Sequence, residues 1–207
     1  MRGKFIVLEG GEGAGKSSTI AWLKGKLPKG KFIFTREPGG TKNAEEIREI
    51  IVAKREDELD TLTHLLLFEA ARREHVLKTI TPALEAGKHV VCDRFSASTY
   101  AYQIVAGEHE DLKKFFLEID DLVCDDVVPD HTLFLDLDPN IGIARKSESG
   151  DRLNVFDEKA LVFHESVRTG MTEYLAGVPH TIIDAGKPQE EVRERIKEVI
   201  LSLTNHG

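Results

Sequence analysis

Residues 10–19 read GGEGAGKSST and directly follow an apolar run, FIVLE, at residues 5–9. The spacing from Gly10 to Ser17 fits the pattern G-x-x-x-x-G-K-[ST] of a phosphate-binding loop. Such a loop needs a buried strand before it and the first turn of a helix after it, because backbone N–H groups and the helix dipole hold the phosphate together. This motif therefore predicts an α/β domain in which strands and helices alternate.

In the rest of the chain, predicted strands alternate with predicted helices, as a phosphate-binding loop requires. Four further apolar runs are predicted strands, at residues 31–35, 89–92, 132–137 and 181–184. Helical patterns separate them, over residues 16–27, 44–53, 59–77 with a continuation to 86, 96–106, 111–124, 141–146 and 156–176, and a last helix carries apolar residues from 192 to 203. This order predicts a five-stranded parallel sheet with helices on both faces. We expect one domain over residues 1–207, with a short polar lid near residues 146–154.

Composition argues against several classes of protein. The formal net charge of −8 is unfavourable for a nucleic-acid clamp. No apolar run approaches the roughly 20 residues that span a bilayer, and the first residues lead into a strand without a signal peptide. The two cysteines, Cys92 and Cys124, lack metal-site spacing and are predicted to be buried reduced thiols. We therefore expect a cytoplasmic protein with no nucleic-acid or membrane partner.

The loop itself supplies candidate nucleotide-binding residues. Lys16 can reach the outer phosphates, and Ser17 offers an oxygen to Mg²⁺. Glu12 is unexpected, because a carboxylate about 4 Å from a phosphate charge costs about 4 kcal/mol at an effective dielectric constant near 20. The motif indicates a nucleoside triphosphate but not which reaction follows. Its predicted phosphate-binding residues are Gly10, Gly11, Glu12, Gly13, Ala14, Gly15, Lys16, Ser17 and Ser18.

Arg36 and the pair Asp93–Arg94 follow two predicted strands, at the edge where α/β proteins bind ligands. Arginine can bind phosphate through two parallel hydrogen bonds, and an aspartate at this edge suits Mg²⁺. The pattern is also consistent with a surface arginine at residue 36 and with a structural ion pair at residues 93–94.

Phe68 and Arg72 are four residues apart on a predicted helix and therefore share a face. An aromatic ring beside a guanidinium can stack on a base and bind its edge. The pattern alone, however, favours Phe68 in the core and Arg72 on the surface. The hydroxyl-rich stretch SASTYAYQ, at residues 96–103, is likewise consistent with a helix start capped by Ser96 or Ser98.

Five blocks together carry a resemblance: LEGGEGAGKSST, TREPGGT, LLLFEAARREH, DRFSASTYAYQ and GDRLNVFD. In this order and spacing they resemble the thymidylate kinases over most of the chain. The resemblance implies the P-loop NTPase fold of the nucleoside monophosphate kinase type. It also implies phosphorylation of dTMP to dTDP with ATP and Mg²⁺, and a homodimer.

The resemblance further implies roles at the base and the sugar. In such kinases the residue matching Phe68 stacks on thymine, and the one matching Arg72 contacts the base edge. The residues matching Ser98 and Thr99 lie near the base. The residue matching Tyr102 packs under the sugar and disfavours a 2′-hydroxyl.

At the acceptor phosphate, the resemblance implies that Arg36 and Arg94 hold the phosphate. The family acid matching Glu12 approaches the 3′-hydroxyl of the deoxyribose. We therefore expect Glu12 to face the sugar, which would explain a carboxylate inside a phosphate loop.

The lid is predicted to supply the remaining positive charge for the transferring phosphoryl group. Gly13 stands where one branch of the family has arginine, so the chain resembles the branch whose arginine comes from the lid. We expect Arg145 to reach the transferring phosphoryl group, with Lys146 or Arg152 assisting, and the catalytic residues to be Lys16, Arg94 and Arg145. The segment ARKSESGDRLN has fewer arginines than that branch usually shows, and Asn154 stands where the pattern usually has Glu.

Two other functions share parts of this pattern. A deoxynucleoside kinase also has a phosphate loop and an acid–arginine pair, but its hydroxyl acceptor requires a general base. A P-loop switch or ATPase subunit would bind or hydrolyse nucleotide without an acceptor. A phosphate acceptor is already largely ionised near pH 7 and needs no strong base. A comparison of activity on thymidine and on dTMP distinguishes a deoxynucleoside kinase from a dTMP kinase. A P-loop switch or ATPase subunit would not bind dTMP.

Overall fold

The computed structural model describes residues 2–54, 56–148, 156 and 159–204. Within them, five parallel strands form one sheet in the order β2-β3-β1-β4-β5. The strands are β1 (Phe5–Glu9), β2 (Phe32–Arg36), β3 (His89–Asp93), β4 (His131–Asp136) and β5 (His180–Asp184). The predicted five-stranded parallel α/β sheet is therefore confirmed.

Helices cover both faces of this sheet. The α-helices are α1 (Lys16–Leu23), α2 (Lys42–Val52), α3 (Thr61–His75), α4 (Thr81–Glu85), α5 (Ser96–Thr99), α6 (Lys113–Cys124), α7 (Pro139–Glu148), α8 (Leu161–Leu175) and α9 (Gln189–Thr204). Two π-helical turns, Val76–Ile80 and Tyr100–Val105, extend α3 and α5, and a 3₁₀ turn, Glu110–Leu112, precedes α6.

The three central strands, β3, β1 and β4, are mostly apolar because both of their faces are buried. Successive residues of a strand point to opposite faces. In β1, Ile6 and Leu8 therefore pack with α1 and α9, whereas Phe5 and Val7 pack with the segment from the first π-helical turn to α4. Burial of each such side chain contributes about 1.5–3 kcal/mol, which fixes the sheet and the edge where its strands end.

The predicted continuation of the third helix to residue 86 is confirmed, with a local change of pitch. α3 ends at His75, and a π-helical turn connects it to α4. Pro82 near the start of α4 lacks an N–H group, and its ring conflicts with the carbonyl four residues earlier in a regular helix. The wider turn precedes this proline, and Gly87 (φ 74°) ends the run as expected.

Predicted boundaries of α1, α7 and α8 were wrong. α1 ends at Leu23 rather than at residue 27, because Gly25 N donates to Trp22 O in a tighter turn. α7 begins at Pro139, where proline suits a first helical position and Asp138 Oδ1 accepts from Asn140 N at 2.8 Å. α7 also extends through Glu148, beyond the predicted end at residue 146, and α8 begins at Leu161 rather than at residue 156. The rest of the predicted lid, from residue 149 to 154, lies outside the described residues.

The cysteines agree with the sequence-based prediction. Cys92 and Cys124 are both buried and free, and burial raises the pKa of each thiol. Of the helices in the described ranges, none has the length and apolar character needed to cross a membrane.

Candidate active site

A cavity of about 600 Å³ lies at the carboxyl edge of the sheet. β1, β2 and β3 end beside it, and their register places Asp93 next to both Leu8 and Arg36. All the predicted site residues that the structure describes line this cavity except Gly10 and Gly11. Arg152 lies outside the described residues. The structure thus brings the predicted donor and acceptor residues into one space.

The phosphate loop has the backbone geometry that its glycines predict. Gly15, which precedes α1, has φ 86° and Gly13 has φ 69°, a region that glycine enters at little steric cost. Lys16 Nζ donates to the carbonyl oxygens of Gly10 (2.8 Å) and Gly11 (2.9 Å). Burial lowers the pKa of Lys16 to about 8, and the nearby Arg94 charge acts in the same direction. Nucleotide phosphates would stabilise the charged form of this lysine.

Ser17 and Asp93 form the candidate magnesium site. Ser17 Oγ donates to Asp93 Oδ2 at 2.9 Å, and Asp93 Oδ1 is buried without a hydrogen-bond partner among the described residues. A buried polar atom left in this way costs about 1–3 kcal/mol unless a ligand satisfies it. No cluster of three or more His, Cys, Asp or Glu suited to a metal occurs in the described part of the chain. The pair fits Mg²⁺, which prefers oxygen ligands and usually takes few of them from protein.

Glu12 turns its carboxylate towards Arg94 and Tyr102. Arg94 Nη2 donates to Glu12 Oε1 at 2.6 Å, and Tyr102 Oη donates to the same oxygen at 2.9 Å. Arg94 Nη1 also donates to Ser98 Oγ (3.1 Å), and its guanidinium lies 5.1 Å from the centre of the Tyr102 ring. The ion pair at this edge therefore joins Arg94 to Glu12, and the alternative of a structural Asp93–Arg94 pair is wrong.

The backbone at Arg94 is strained, with φ 70° in the left-handed region. A non-glycine residue in this conformation costs about 1–3 kcal/mol and is often found at functional sites. In this conformation Arg94 N still donates to Leu8 O, while the Arg94 side chain extends to Glu12.

Glu12 remains ionised at any working pH. Burial alone would raise its pKa, but the charges of Arg94 and Lys16, the Tyr102 hydrogen bond and the Lys146 charge together lower it to about 2. A carboxylate with such a pKa is a good hydrogen-bond acceptor and a poor general base.

Glu9 is a buried acid behind the cavity wall, and its role could not be predicted from the sequence. It is fully buried at the end of β1, and burial raises its pKa. Its Oε1 accepts from Phe95 N (2.8 Å) and Ser98 N (3.2 Å), and its Oε2 accepts from Ser98 Oγ (2.6 Å). Glu9 therefore caps α5, and the predicted capping by Ser96 or Ser98 is wrong.

Aromatic rings form one wall of the cavity. Phe68 is half-buried and lines the cavity rather than the core. Its ring lies 6.4 Å from that of Phe156, which meets Tyr102 edge-to-face at 5.6 Å. The position of Phe156 in this wall could not be predicted from the sequence, because nothing in its local pattern marks it. Rings at these spacings suit a flat heterocyclic ligand.

Arg72 forms the floor beside this wall. The side chain is 1% exposed, so the surface position that the pattern favoured is wrong. Its Nη2 donates to Thr99 Oγ1 at 2.7 Å, which links the two residues that the resemblance assigns to the base. Three carboxylates surround the same guanidinium, from Glu37, Glu69 and Asp120.

Arg36 lines the cavity and is also half exposed. Its Nη2 donates to Glu45 Oε2 at 2.8 Å. Arg48, which the sequence-based analysis missed, lies in the same wall and donates from Nη1 to Pro38 O at 2.9 Å. Burial and the Arg36 charge both lower the pKa of Arg48. Two arginines therefore meet at the acceptor end.

α7 packs directly against the phosphate loop. A Cβ added at Gly13 would lie 2.2 Å from Gly142 O, and one added at Gly142 would lie 2.3 Å from Glu12 O. The structure therefore has no room for a side chain at residue 13. Three residues beyond Gly142, Arg145 Nη1 donates to Ala185 O at 3.0 Å, on the loop between β5 and α9.

The arrangement suits transfer of a phosphoryl group between two bound nucleotides. One end of the cavity has backbone N–H groups, Lys16 and the Ser17–Asp93 pair, which suit a triphosphate and its cation. The other end has Arg36, Arg94 and the aromatic wall, which suit a second phosphate and a base. Catalysis of phosphoryl transfer consists mainly of such alignment and charge neutralisation.

Comparison with known proteins gives the same family as the sequence motifs. The thymidylate kinase family profile matches residues 8–196. Thymidylate kinases of Magnetococcus marinus and Limosilactobacillus reuteri are 43% and 40% identical over 95% and 97% of this chain, and over 94% and 96% of their own. The crystal structure of thymidylate kinase from Ehrlichia chaffeensis matches with a TM-score of 0.74 and 29% identity, covering 97% of this chain and 99% of that one. The chain therefore belongs to the thymidylate kinase family.

Proposed function

We propose that this chain transfers the terminal phosphoryl group of ATP to the 5′-phosphate of dTMP, giving ADP and dTDP. The observation that carries the proposal is a single cavity into which the phosphate loop, the Glu12–Arg94–Tyr102 group and the Phe68–Arg72 wall all open. The names of its relatives support the same activity.

Lys16, Arg94 and Arg36 bind and orient the phosphates. Lys16 lies where it can exchange its loop carbonyls for the outer phosphates of ATP. Arg94 and Arg36 aim the acceptor phosphate in line with them. Ser17 and Asp93 would hold Mg²⁺, which when bound neutralises phosphate charge.

Glu12 favours a monophosphate acceptor over a nucleoside. A nucleoside kinase must take a proton from a hydroxyl, and the pKa of about 2 makes Glu12 unsuited to that work. As an acceptor beside Tyr102, Glu12 instead binds the 3′-hydroxyl of the sugar. Tyr102 packs under the ring and crowds the 2′ position, while Phe68 stacks on the base, with Arg72, Ser98 and Thr99 at its edge.

Arg145 is the lid residue that supplies further charge to the transferring group, with Lys146 or Arg152 assisting. What supports this role is the position of Arg145 in the cavity wall, on a helix fixed against the phosphate loop by Gly142. Its bond to Ala185 O holds the side chain at this wall. The lid, near residues 146–154, belongs to a single domain of residues 1–207.

The enzyme works in the cytoplasm as a homodimer, without nucleic acid or membrane. Buried free cysteines suit a reducing compartment. Exposed apolar side chains on the neighbouring helices α3 and α6 support a partner copy there, including Leu62, Leu66, Phe115 and Leu122.

A coupled assay for ADP release tests the reaction. With ATP and Mg²⁺, we expect rapid ADP release with dTMP, little with thymidine, and almost none without an acceptor. Equal rates with thymidine would indicate a nucleoside kinase. ADP release that does not depend on an acceptor would indicate an ATPase or a switch.

A further inference from the structure

The Arg72 guanidinium is held on nearly every side before any substrate binds. Arginine has five N–H donors. Nε donates to Glu37 Oε2 (2.9 Å), Nη1 to Glu69 Oε1 (2.5 Å) and Asp120 Oδ1 (2.8 Å), and Nη2 to Thr99 Oγ1 (2.7 Å). The second N–H of Nη2 has no hydrogen bond within the described residues. Since Arg72 lines the cavity, this N–H is the donor available to a base.

Stacking fixes the guanidinium plane as well. The Arg72 guanidinium carbon lies 5.0 Å from the centre of the Phe95 ring. The carboxylates come from three separate parts of the chain: Glu37 after β2, Glu69 on α3 and Asp120 on α6. The direction of the remaining N–H is therefore set by tertiary structure and does not depend on the bound ligand.

Three carboxylates around one arginine leave an excess of negative charge. Glu37 Oε1 has a second partner in His75 Nδ1 (2.9 Å), and Asp120 Oδ1 also accepts from Ser96 Oγ (2.7 Å). Glu69 is different, because its Oε2 is buried without a partner among the described residues. Of the three carboxyl groups, Glu69 is therefore the one whose environment most favours a proton.

The electrostatics agree with that geometry. Burial raises the pKa of Glu69 to about 7; the Arg72 charge opposes this change, and Asp120 and Glu37 add to it. The titratable groups around the cluster come from five parts of the fold: Arg72 and His75 from α3, Glu37 from the loop after β2, Cys92 from β3, Asp120 and Cys124 from α6, and Tyr174 from α8. Apart from Arg72, the groups nearest to Glu69 carry a negative charge or no charge. His75 bonds to Glu37 and not to Glu69.

We propose that Glu69 is a positioning residue for the acceptor base: it orients Arg72 together with Glu37 and Asp120, and its protonation makes dTMP binding tighter. Loss of the proton adds a third negative charge beneath a site that must accept an electron-rich carbonyl edge and a phosphate. This inference rests on the proposed function, since it concerns the dTMP end of the cavity. It adds a residue and a pH dependence to that function.

The direction of the pH dependence follows from the protonated form of Glu69 binding dTMP more tightly than the carboxylate form. Below pH 7 Glu69 holds its proton, and above it the carboxylate is present. The KM for dTMP should therefore rise about 3–10-fold between pH 6.5 and 8.5, the size expected for one added charge several Å away at an effective dielectric constant of 20–80. Substitution of Glu69 should leave the pH profile of the KM for ATP as it is in wild type, because the phosphate loop does not contact the cluster.

The test compares wild type, Glu69→Gln and a matched control, Glu74→Gln, on the same helix. Glu74 is partly exposed and bonds to Lys78 and Asn43, away from Arg72. KM and kcat for both substrates are measured from pH 6.5 to 8.5, beside melting curves. Titration of dTMP itself and of Lys16 affects all three proteins equally, so the difference between the profiles reports Glu69.

We expect the KM for dTMP to rise about 3–10-fold less between pH 6.5 and 8.5 in Glu69→Gln than in wild type, and to follow the wild-type profile in Glu74→Gln. An unchanged pH profile of the KM for dTMP in Glu69→Gln would overturn the inference, as would an equal effect of this substitution on the pH profile of the KM for ATP. Should Glu69→Gln not fold, Glu69→Ala removes the same titrating group and replaces it in the comparison. Absence of dTMP-dependent ADP release in wild type would instead refute the proposed function.

Discussion

Substituting Gly142 by alanine tests whether the contact between α7 and the phosphate loop sets the catalytic geometry. The added Cβ would lie 2.3 Å from Glu12 O and 3.3 Å from Glu12 C. An ordinary contact needs about 3.5 Å, so α7 and the loop must separate by about 1 Å. That movement displaces either Glu12 or the helix that carries Arg145.

The substitution should not destabilise α7 itself. Alanine is favoured over glycine inside a helix by about 1 kcal/mol, which partly offsets the cost of separating the two segments. A displacement of 1 Å from the productive geometry can cost about 10²-fold in rate. We therefore expect Gly142→Ala to lower kcat/KM about 10²-fold while the melting temperature changes little.

The assay is coupled ADP release with dTMP and ATP varied in turn, beside a melting curve. Gly177→Ala is the matched control, because a Cβ there meets Tyr174 O at an ordinary 3.7 Å. A kcat/KM within threefold of wild type in Gly142→Ala would refute the claim that this contact sets the geometry. A large fall in melting temperature would show that the contact serves stability instead.

Three further outcomes follow from the site. If Glu12 binds the 3′-hydroxyl, 3′-deoxy-dTMP should be a poorer substrate than dTMP for wild type, and Glu12→Ala should shrink that difference; a preference retained in full would assign Glu12 another role. Arg145→Ala should lower kcat at least ~10²-fold at saturating substrates, at the low end for an arginine in phosphoryl transfer; a value within threefold of wild type would shift attention to Arg152. Because ATP binding uses charged Lys16, whose pKa is about 8, kcat/KM for ATP should fall as pH rises through 8; a flat profile to pH 9.5 would contradict that requirement.

The elements that could be predicted from the sequence are those specified by local pattern. β1 and the loop after it depend on one apolar run and on closely spaced glycines, so their positions are correct to the residue. Boundaries failed where short-range detail decides them, as at Gly25, where an i to i−3 hydrogen bond ends α1 early.

The surroundings of Arg72 were not predictable in this way. Its partners lie 35 and 48 residues away at Glu37 and Asp120, and no periodicity relates them. A helical pattern assigns an arginine to the solvent because charge is costly to bury. Only the tertiary structure shows that three carboxylates compensate that cost.

The partners of Glu9, at the end of β1, were not predictable for the same reason. The run FIVLE predicts that Glu9 ends a strand but gives no sign that its carboxylate caps a helix 86 to 89 residues later. The resemblance to a family indicated Arg72 and Ser98 at the base, but it did not identify the buried acids that bond to them: Glu37, Glu69 and Asp120 at Arg72, and Glu9 at Ser98.

The central claim is that donor and acceptor sites are two ends of one cavity. Calorimetric titration of a compound that joins adenosine and thymidine through their 5′ positions by a polyphosphate chain tests it most directly. Occupying both ends at once should make this compound bind about 10²–10⁴-fold more tightly than ATP or dTMP alone. Affinity no greater than that of ATP would show that the two ends cannot be occupied together, and would contradict the account.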